Sequence, residues 1–218
     1  MQTGAPVTIV RGDEELLTRT SHLFATATEI MCLANDLGAW ALAHASDELD
    51  SLALARRGHV RVRKVYRPGV LLDPVAARGV VRVRDLHGAQ IRITTDEVNE
   101  TLVFDRRVAV LAGDVSAGRR SYSVLTQPEA VQGVTSLFEA VWRSATDLDA
   151  FDARIAEIRR IAPQVLDLLG QGVKDEAAAR TLGLGVRTYR RRVAELMDAL
   201  GAASRFQAGV RARELGLV

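Results

Sequence analysis

The sequence predicts two domains of different class. Residues 1–149 read as an α/β body with a mixed sheet, and residues 150–218 as an all-helical segment. Three observations carry this. Helix-period and strand-period segments alternate up to about Thr126, and one further helix follows. After the short segment Ala145 to Asp149 every periodic stretch is helical. The run from Gly172 to Arg192 then gives an Ala-rich helix, a turn containing Gly183, and a second helix with four arginines in six residues.

The elements follow in order. Pro6 to Val10 reads as a strand, and Asp13 caps a helix carrying Leu16, Leu17, Leu23 and Phe24. Glu29 to Ala34 becomes continuously apolar and predicts a buried strand. Ser46 caps a helix that runs to Arg57 and stops at Gly58. Val60-Arg-Val-Arg63 and Val81-Arg-Val-Arg84 alternate strictly, so both are expected as strands. Further strands are expected at Ile91 to Thr95, Glu100 to Phe104, Val108 to Ala112 and Ser121 to Thr126. The turns fall at His87-Gly88 and Asp105, and 113–118 is a loop. Pro128 opens a helix with a stripe of Val131, Val134, Leu137, Phe138, Val141 and Trp142. Phe151, Ile155, Ile158 and Ile161 mark a linking helix, and Pro163 is expected to begin the next one.

Composition bounds the class. Of 218 residues 48% are hydrophobic, enough for a sizeable core, which excludes a disordered chain. Net charge is +2 but unevenly placed. Residues 1–150 hold 17 basic against 19 acidic side chains, and residues 151–218 hold 12 against 8. A basic segment on a slightly acidic body suits a nucleic-acid module joined to something else. Lys64 and Lys174 are the only lysines, a bias of GC-rich bacterial coding rather than a signature of phosphate binding. Cys32, the single cysteine, sits in an apolar run and excludes an intrachain disulfide. No secretory signal and no apolar stretch of about 18 residues is present, so no membrane span and a cytoplasmic location are expected.

The second helix of the C-terminal pair carries the functional signal. Val186, Tyr189, Val193, Leu196 and Leu200 fall in a stripe about 80° wide that must pack inward. Arg187, Arg191, Ala194 and Glu195 point the other way, with Arg190 and Arg192 on the flanks. The outer face near the helix start is therefore cationic, where the helix dipole already favours phosphate. Arginine pairs bidentately with guanine, and Ala194 leaves room for close approach. A solvated helix face is the ordinary alternative, yet such a face more often interleaves acids with its arginines.

Residues 163–217 resemble the DNA-binding domain of LuxR/GerE-type bacterial regulators. The matching residues are Val165-Leu166, Leu168-Leu169, Gly172, Ala179, Leu182-Gly183, Thr188, Val193, Leu200-Gly201 and Ser204-Arg-Phe-Gln-Ala208, ending Leu215-Gly-Leu-Val218. The resemblance implies four helices, the third in the major groove and the fourth at a dimer contact. By position it implies base-facing roles for Arg190, Arg191 and Ala194, and backbone or supporting roles for Arg187, Thr188 and Arg205. Arg192 and Lys174 complete the expected DNA-binding set. The chain departs from the pattern at Arg160-Ile-Ala-Pro-Gln164, at Glu176, where a basic residue is usual, and at Arg192, where the family has His.

The N-terminal part is similar to the phospholipase-D-like ligand domain of TrmB-type regulators. The residues are Arg11-Gly-Asp-Glu14, Gly58-His-Val-Arg61 through Val65-Tyr66, Gly79-Val-Val-Arg82, and Leu137-Phe-Glu-Ala-Val-Trp142 with Ala145. Enzymes of that fold use His-x-Lys-x4-Asp. His22, His44, His59 and His87 are followed two residues on by Phe24, Ser46, Arg61 and Ala89, so no histidine has the required lysine. No metal-ligand spacing occurs. No catalysis, metal or cofactor is expected. Arg61, Arg63, Arg82 and Arg84 read either as an anion-binding surface or, in preference, as a solvated face or ion pairs to covering helices.

These readings converge on a bacterial transcription regulator. A sensor or oligomerisation domain over 1–149, with a small molecule as its candidate effector, precedes a linker helix and DNA-binding domain over 150–218. The expected partners are a double-stranded operator with two half-sites and a second copy of the chain. The alternative is a ligand-binding or interaction module, with a degenerate phosphodiesterase-like domain and no sequence-specific DNA binding.

Overall fold

A computed structural model describes residues 6–34, 59–116 and 118–218. The helix expected over 46–57 and His44 lie outside the described residues. The chain divides into two compact units. One gathers the described residues of 1–66, 79–92 and 98–145. The other gathers 67–78, 93–97 and 146–218. A sequence cut at 149 leaves 67–78 and 93–97 in the first part, whereas packing groups both segments with the C-terminal helices.

The first unit is built on a mixed sheet. Its strands are β1 (Val7–Arg11), β2 (Glu29–Ala34), β3 (Arg61–Tyr66), β4 (Gln90–Ile93), β5 (Thr101–Phe104), β6 (Val108–Ser116) and β7 (Arg119–Leu125). They lie in the order β1-β7-β6-β5-β2-β3-β4. β2 runs parallel to β3, with Cys32 opposite Lys64, and antiparallel to β5, with Met31 opposite Val103. Central position explains why β2 reads as a nearly continuous apolar run: both of its faces are covered. Helix α1 (Asp13–Thr26) sets Phe24 edge-on against Phe104 of β5, with ring centroids 4.9 Å apart. Neighbouring side chains of a strand point to opposite faces. Met31, Leu33, Val65, Val103, Ala109 and Leu125 therefore share a cluster with Val131, Phe138 and Ala145 instead. Val131 and Phe138 belong to helix α3 (Pro128–Ser144), and burying a side chain of this size contributes roughly 1.5–3 kcal/mol.

Three local expectations for this unit are corrected. Asp13 does not cap α1: Gly12 holds that position with no side-chain cap, and the Asp13 carboxylate accepts from the Tyr122 hydroxyl (2.5 Å) instead. Val81 to Arg84 is not a strand but part of helix α2 (Pro74–His87). Asp73 caps the helix by accepting from the amides of Ala76 (2.7 Å) and Val75 (3.3 Å), and Pro74 fits the first turn. Val80 and Val83, three apart, are buried, while Val81 is exposed. Helical spacing over the longer window thus overrides four residues of alternation. The loop expected at 113–118 is shorter than that, because β6 continues to Ser116 through an irregularity between Ala112 and Val115. The β5–β6 turn places Asp105 and Arg106 at positive φ (48° and 56°). Asp105 anchors it: its Oδ1 accepts from the amides of Thr28 and Glu29 and the Thr28 hydroxyl, each at 2.8 Å.

The C-terminal part begins with the two-residue strand β8 (Thr146–Asp147) and continues in four helices among the described residues. These are α4 (Leu148–Gly170), α5 (Asp175–Thr181), α6 (Val186–Leu200) and α7 (Arg205–Glu214). Pro163 does not begin a helix; it lies inside α4. It removes one backbone donor, but Ile155, Ile158, Ala162, Val165 and Leu166 are buried in one uninterrupted helical stripe. That stripe holds the linking helix and the first helix of the DNA-binding resemblance as one rod.

Candidate nucleic-acid interface

Local chemistry explains the helix-turn-helix. Gly172 (φ 68°) closes off the end of α4, where the amides of Gly172 and Val173 donate to the Leu169 and Leu168 carbonyls. Asp175 and Glu176 occupy the favourable first turn of α5. Gly183 (φ 65°) makes the turn into α6. α6 ends in a left-handed Gly201, with Ala202 N–H donating to Met197 and Gly201 N–H to Asp198. α7 starts with a reciprocal cap. Gln207 N–H donates to Ser204 Oγ (3.1 Å), and Ala203 N–H donates to Gln207 Oε1 (2.7 Å).

α6 packs against α4, α5 and α7. Tyr189, Val193, Leu196 and Leu200 of the expected stripe are buried, with Ala199 beside them, and Val186 is half-buried. Arg187, Arg190, Arg191 and Ala194 are exposed, as is Lys174 at the start of α5; Thr188 is half-buried. Arg205 opens α7 with an exposed side chain. Arg192 does not belong with the outer set. It is 8% exposed and is paired to Glu195 on its own helix (2.7 Å) and to Glu157 of α4. These carboxylates strengthen its hold on the proton, Glu195 first. Its flank position on the helical wheel falls toward α4, so the third of three consecutive arginines joins helices.

Acids return to this surface from a neighbouring element. Arg190 Nε donates to Asp175 Oδ2 (2.7 Å), and its Nη2 lies 3.5 Å from Glu176 Oε1. Arg205 Nη1 pairs with Asp175 Oδ1 at 2.8 Å. The pairing with Arg205, and then the hydrogen bond from Arg190, hold the Asp175 carboxyl below the ordinary aspartate value. A reading along α6 alone missed this, because Asp175 stands fifteen residues before Arg190. The Tyr189 hydroxyl, buried beneath, has no hydrogen-bond partner among the described residues.

The first unit presents a different use of arginine. Arg63 is buried and donates to Glu139 Oε1 (2.7 Å) and to Glu29 Oε1 (3.2 Å), with its guanidinium 5.1 Å from the Phe138 ring centroid. Arg61 and Arg106 close the network on Glu29. Burial opposes the charge on Glu29, yet hydrogen bonds from Arg106 and Arg61 hold its carboxyl low. Arg61 and Arg63 are thus ion-paired, while Arg82 and Arg84 sit on α2 rather than on a strand. Cys32 is buried, and burial pushes its thiol up to about 11. Among the described residues no His/Cys/Asp/Glu group is placed to hold a metal, and no helix is long and apolar enough to cross a membrane.

No protein-family model matches the chain. It is 33% identical over 154 residues to the bialaphos biosynthetic pathway regulatory protein of Streptomyces hygroscopicus; the match covers 68% of this chain and 58% of that relative's length. Among solved structures, TrmBL2, an archaeal chromatin protein described as showing a novel mode of DNA binding, superposes with a TM-score of 0.51 at 15% identity. That match covers 68% of this chain and 56% of TrmBL2. It is a likeness of fold. Nuc, a phospholipase D family member from Salmonella typhimurium, matches with a TM-score of 0.47 at 12% identity, over 65% of this chain and 96% of its own.

Proposed function

We propose that this chain is a DNA-binding transcription regulator of the LuxR/GerE type, with α6 as the helix that enters the major groove. The observation that carries the reading is the outer face of α6. Arg187, Arg190, Arg191 and Ala194 are exposed there, while Tyr189, Val193, Leu196 and Leu200 anchor the opposite face. Arg190, Arg191 and Ala194 address base edges; Arg187, Thr188, Lys174 and Arg205 address phosphates. The regulatory protein that shares 33% identity supports a regulatory role. Two copies bind two half-sites, one helix to each major groove. The N-terminal α/β part serves as sensor or oligomerisation domain and takes a small-molecule effector, and the regulator works in the cytoplasm.

The N-terminal part is not an enzyme in this reading. Val98-x-Glu100-x4-Asp105 has the spacing of the phosphodiesterase motif, with Val and Glu in place of His and Lys. Glu100 is buried and paired with Arg120 (2.5 Å), and Asp105 is engaged by Thr28 and Glu29. No nucleophile stands at that position.

A mobility-shift titration with the DNA flanking the chain's own gene tests the proposal. A discrete complex is expected, lost in the Arg190→Ala/Arg191→Ala double variant. Unchanged binding by that variant removes α6 from the role of reading helix. Absence of any discrete complex favours the interaction-module alternative, and turnover of bis-p-nitrophenyl phosphate overturns the non-enzymatic assignment.

A further inference from the structure

We propose that Asp175 is a positioning residue that aims Arg190 at base edges, an inference that rests on the DNA-binding reading of α6. Asp175 opens α5, and its side chain is only 13% exposed. Its two oxygens are divided between two arginines. Oδ1 is held by Arg205 from α7 and Oδ2 by Arg190 Nε from α6. Three helices therefore fix one carboxylate, and that carboxylate holds the inner edge of the Arg190 guanidinium.

The remaining edge is the one that matters for recognition. With Nε engaged, Arg190 keeps Nη1 and Nη2 for an end-on bidentate contact, and its side chain is 60% exposed. Glu176 lies 3.5 Å from Nη2 and is itself well exposed, a loose contact with little hold on that nitrogen. An arginine already held in one orientation loses less rotamer freedom when it meets guanine. The same carboxylate stands close to where phosphates run, and a negative charge there opposes binding to any DNA sequence. A positioning role and a mere charge effect therefore predict opposite signs when Asp175 is changed.

The experiment uses the full chain and two duplexes. One is enriched by the wild-type chain from a randomised pool; the other is a scrambled duplex of the same length and composition. Dissociation constants are measured by fluorescence anisotropy at several salt concentrations. Asp175→Asn is expected to reduce the ratio of specific to non-specific affinity about tenfold or more, with scrambled-duplex binding unchanged or tighter. Asp175→Glu keeps the charge but moves the carboxylate by one methylene. It is expected to lower the ratio too, without altering the salt dependence. Thermal melting accompanies both, and either folded variant is a sufficient test. The inference is overturned if Asp175→Asn tightens both duplexes equally, or if Asp175→Glu keeps the wild-type ratio. If the wild-type chain enriches no sequence at all, the DNA-binding reading itself has failed, and this inference falls with it.

Discussion

Arg192 of α6 is ion-paired to Glu157 of α4, on the inner side of the helix whose outer side carries Arg187, Arg190 and Arg191. One run of arginines thus divides between a buried ion pair and an exposed face, set by which way each residue points. Arg192→Ala is expected to lower stability by about 1.5–3 kcal/mol, the scale of lost hydrogen bonds to charged groups, measured by urea denaturation. Its DNA affinity should keep the wild-type salt dependence. Arg191→Ala, whose side chain is 63% exposed, should do the reverse: little change in stability, and a slope of log affinity against log salt smaller by about one.

Glu176 lies beside the proposed DNA face and touches Arg190 only loosely. Glu176→Lys should strengthen binding to specific and scrambled duplexes alike and steepen the salt dependence, because it replaces a repelling charge with one that displaces a counterion. Unchanged affinity in an anisotropy titration would place the DNA away from the start of α5.

Gly201 ends α6 at φ 63°, and a Cβ there would collide with Arg67 Nη2 and come within 2.6 Å of Arg211 Nη1. Arg211 Nη1 also donates to the Leu200 carbonyl (3.0 Å), so both guanidinium groups crowd the end of the helix. Gly201→Ala is expected to destabilise the chain by at least about 1–2 kcal/mol, from the left-handed backbone alone. A lowered midpoint in thermal melting checks it.

Tyr189 is buried with no hydrogen-bond partner for its hydroxyl among the described residues. Removing an unpaired buried hydroxyl exposes no partner to loss. Tyr189→Phe should therefore leave stability unchanged or raise it, while Tyr189→Ala should cost about 3–5 kcal/mol, as for other large aromatics. A clear loss in the Phe variant would mean that the hydroxyl has a partner in solution.

Asp175 and Glu139 both have carboxyl groups held below their ordinary values, chiefly by Arg205 and by Arg63 respectively. A depressed folded-state pKa stabilises the fold above the unfolded value, about 4 for these groups, and that stability is lost as pH falls through the folded value. Denaturation midpoints should thus be flat near neutrality and fall below about pH 4. Asp175→Asn should show a shallower acid decline than the wild-type chain.

Much of the architecture was legible in sequence because it is local. The periodicity of Tyr189, Val193, Leu196 and Leu200 is a property of one helix, and those residues are buried where the sequence puts them. The alternation at Val81 to Arg84 failed because four residues cannot separate period 2 from a helix whose buried valines are 80 and 83. Proline usually marks a helix's first turn, but the apolar stripe running past Pro163 keeps α4 whole.

The sequence by itself determined that this chain has an α/β part followed by helices, and that one helix carries an arginine-rich face. Only tertiary structure decided which arginines remain on that face. Arg192 is drawn inward by Glu157, thirty-five residues earlier, and Arg190 is tethered by Asp175 on another helix. Likewise, packing grouped 67–78 and 93–97 with the C-terminal helices. The physical reason is the same throughout. Backbone propensity and apolar period act within one element, whereas a charge finds its partner through space.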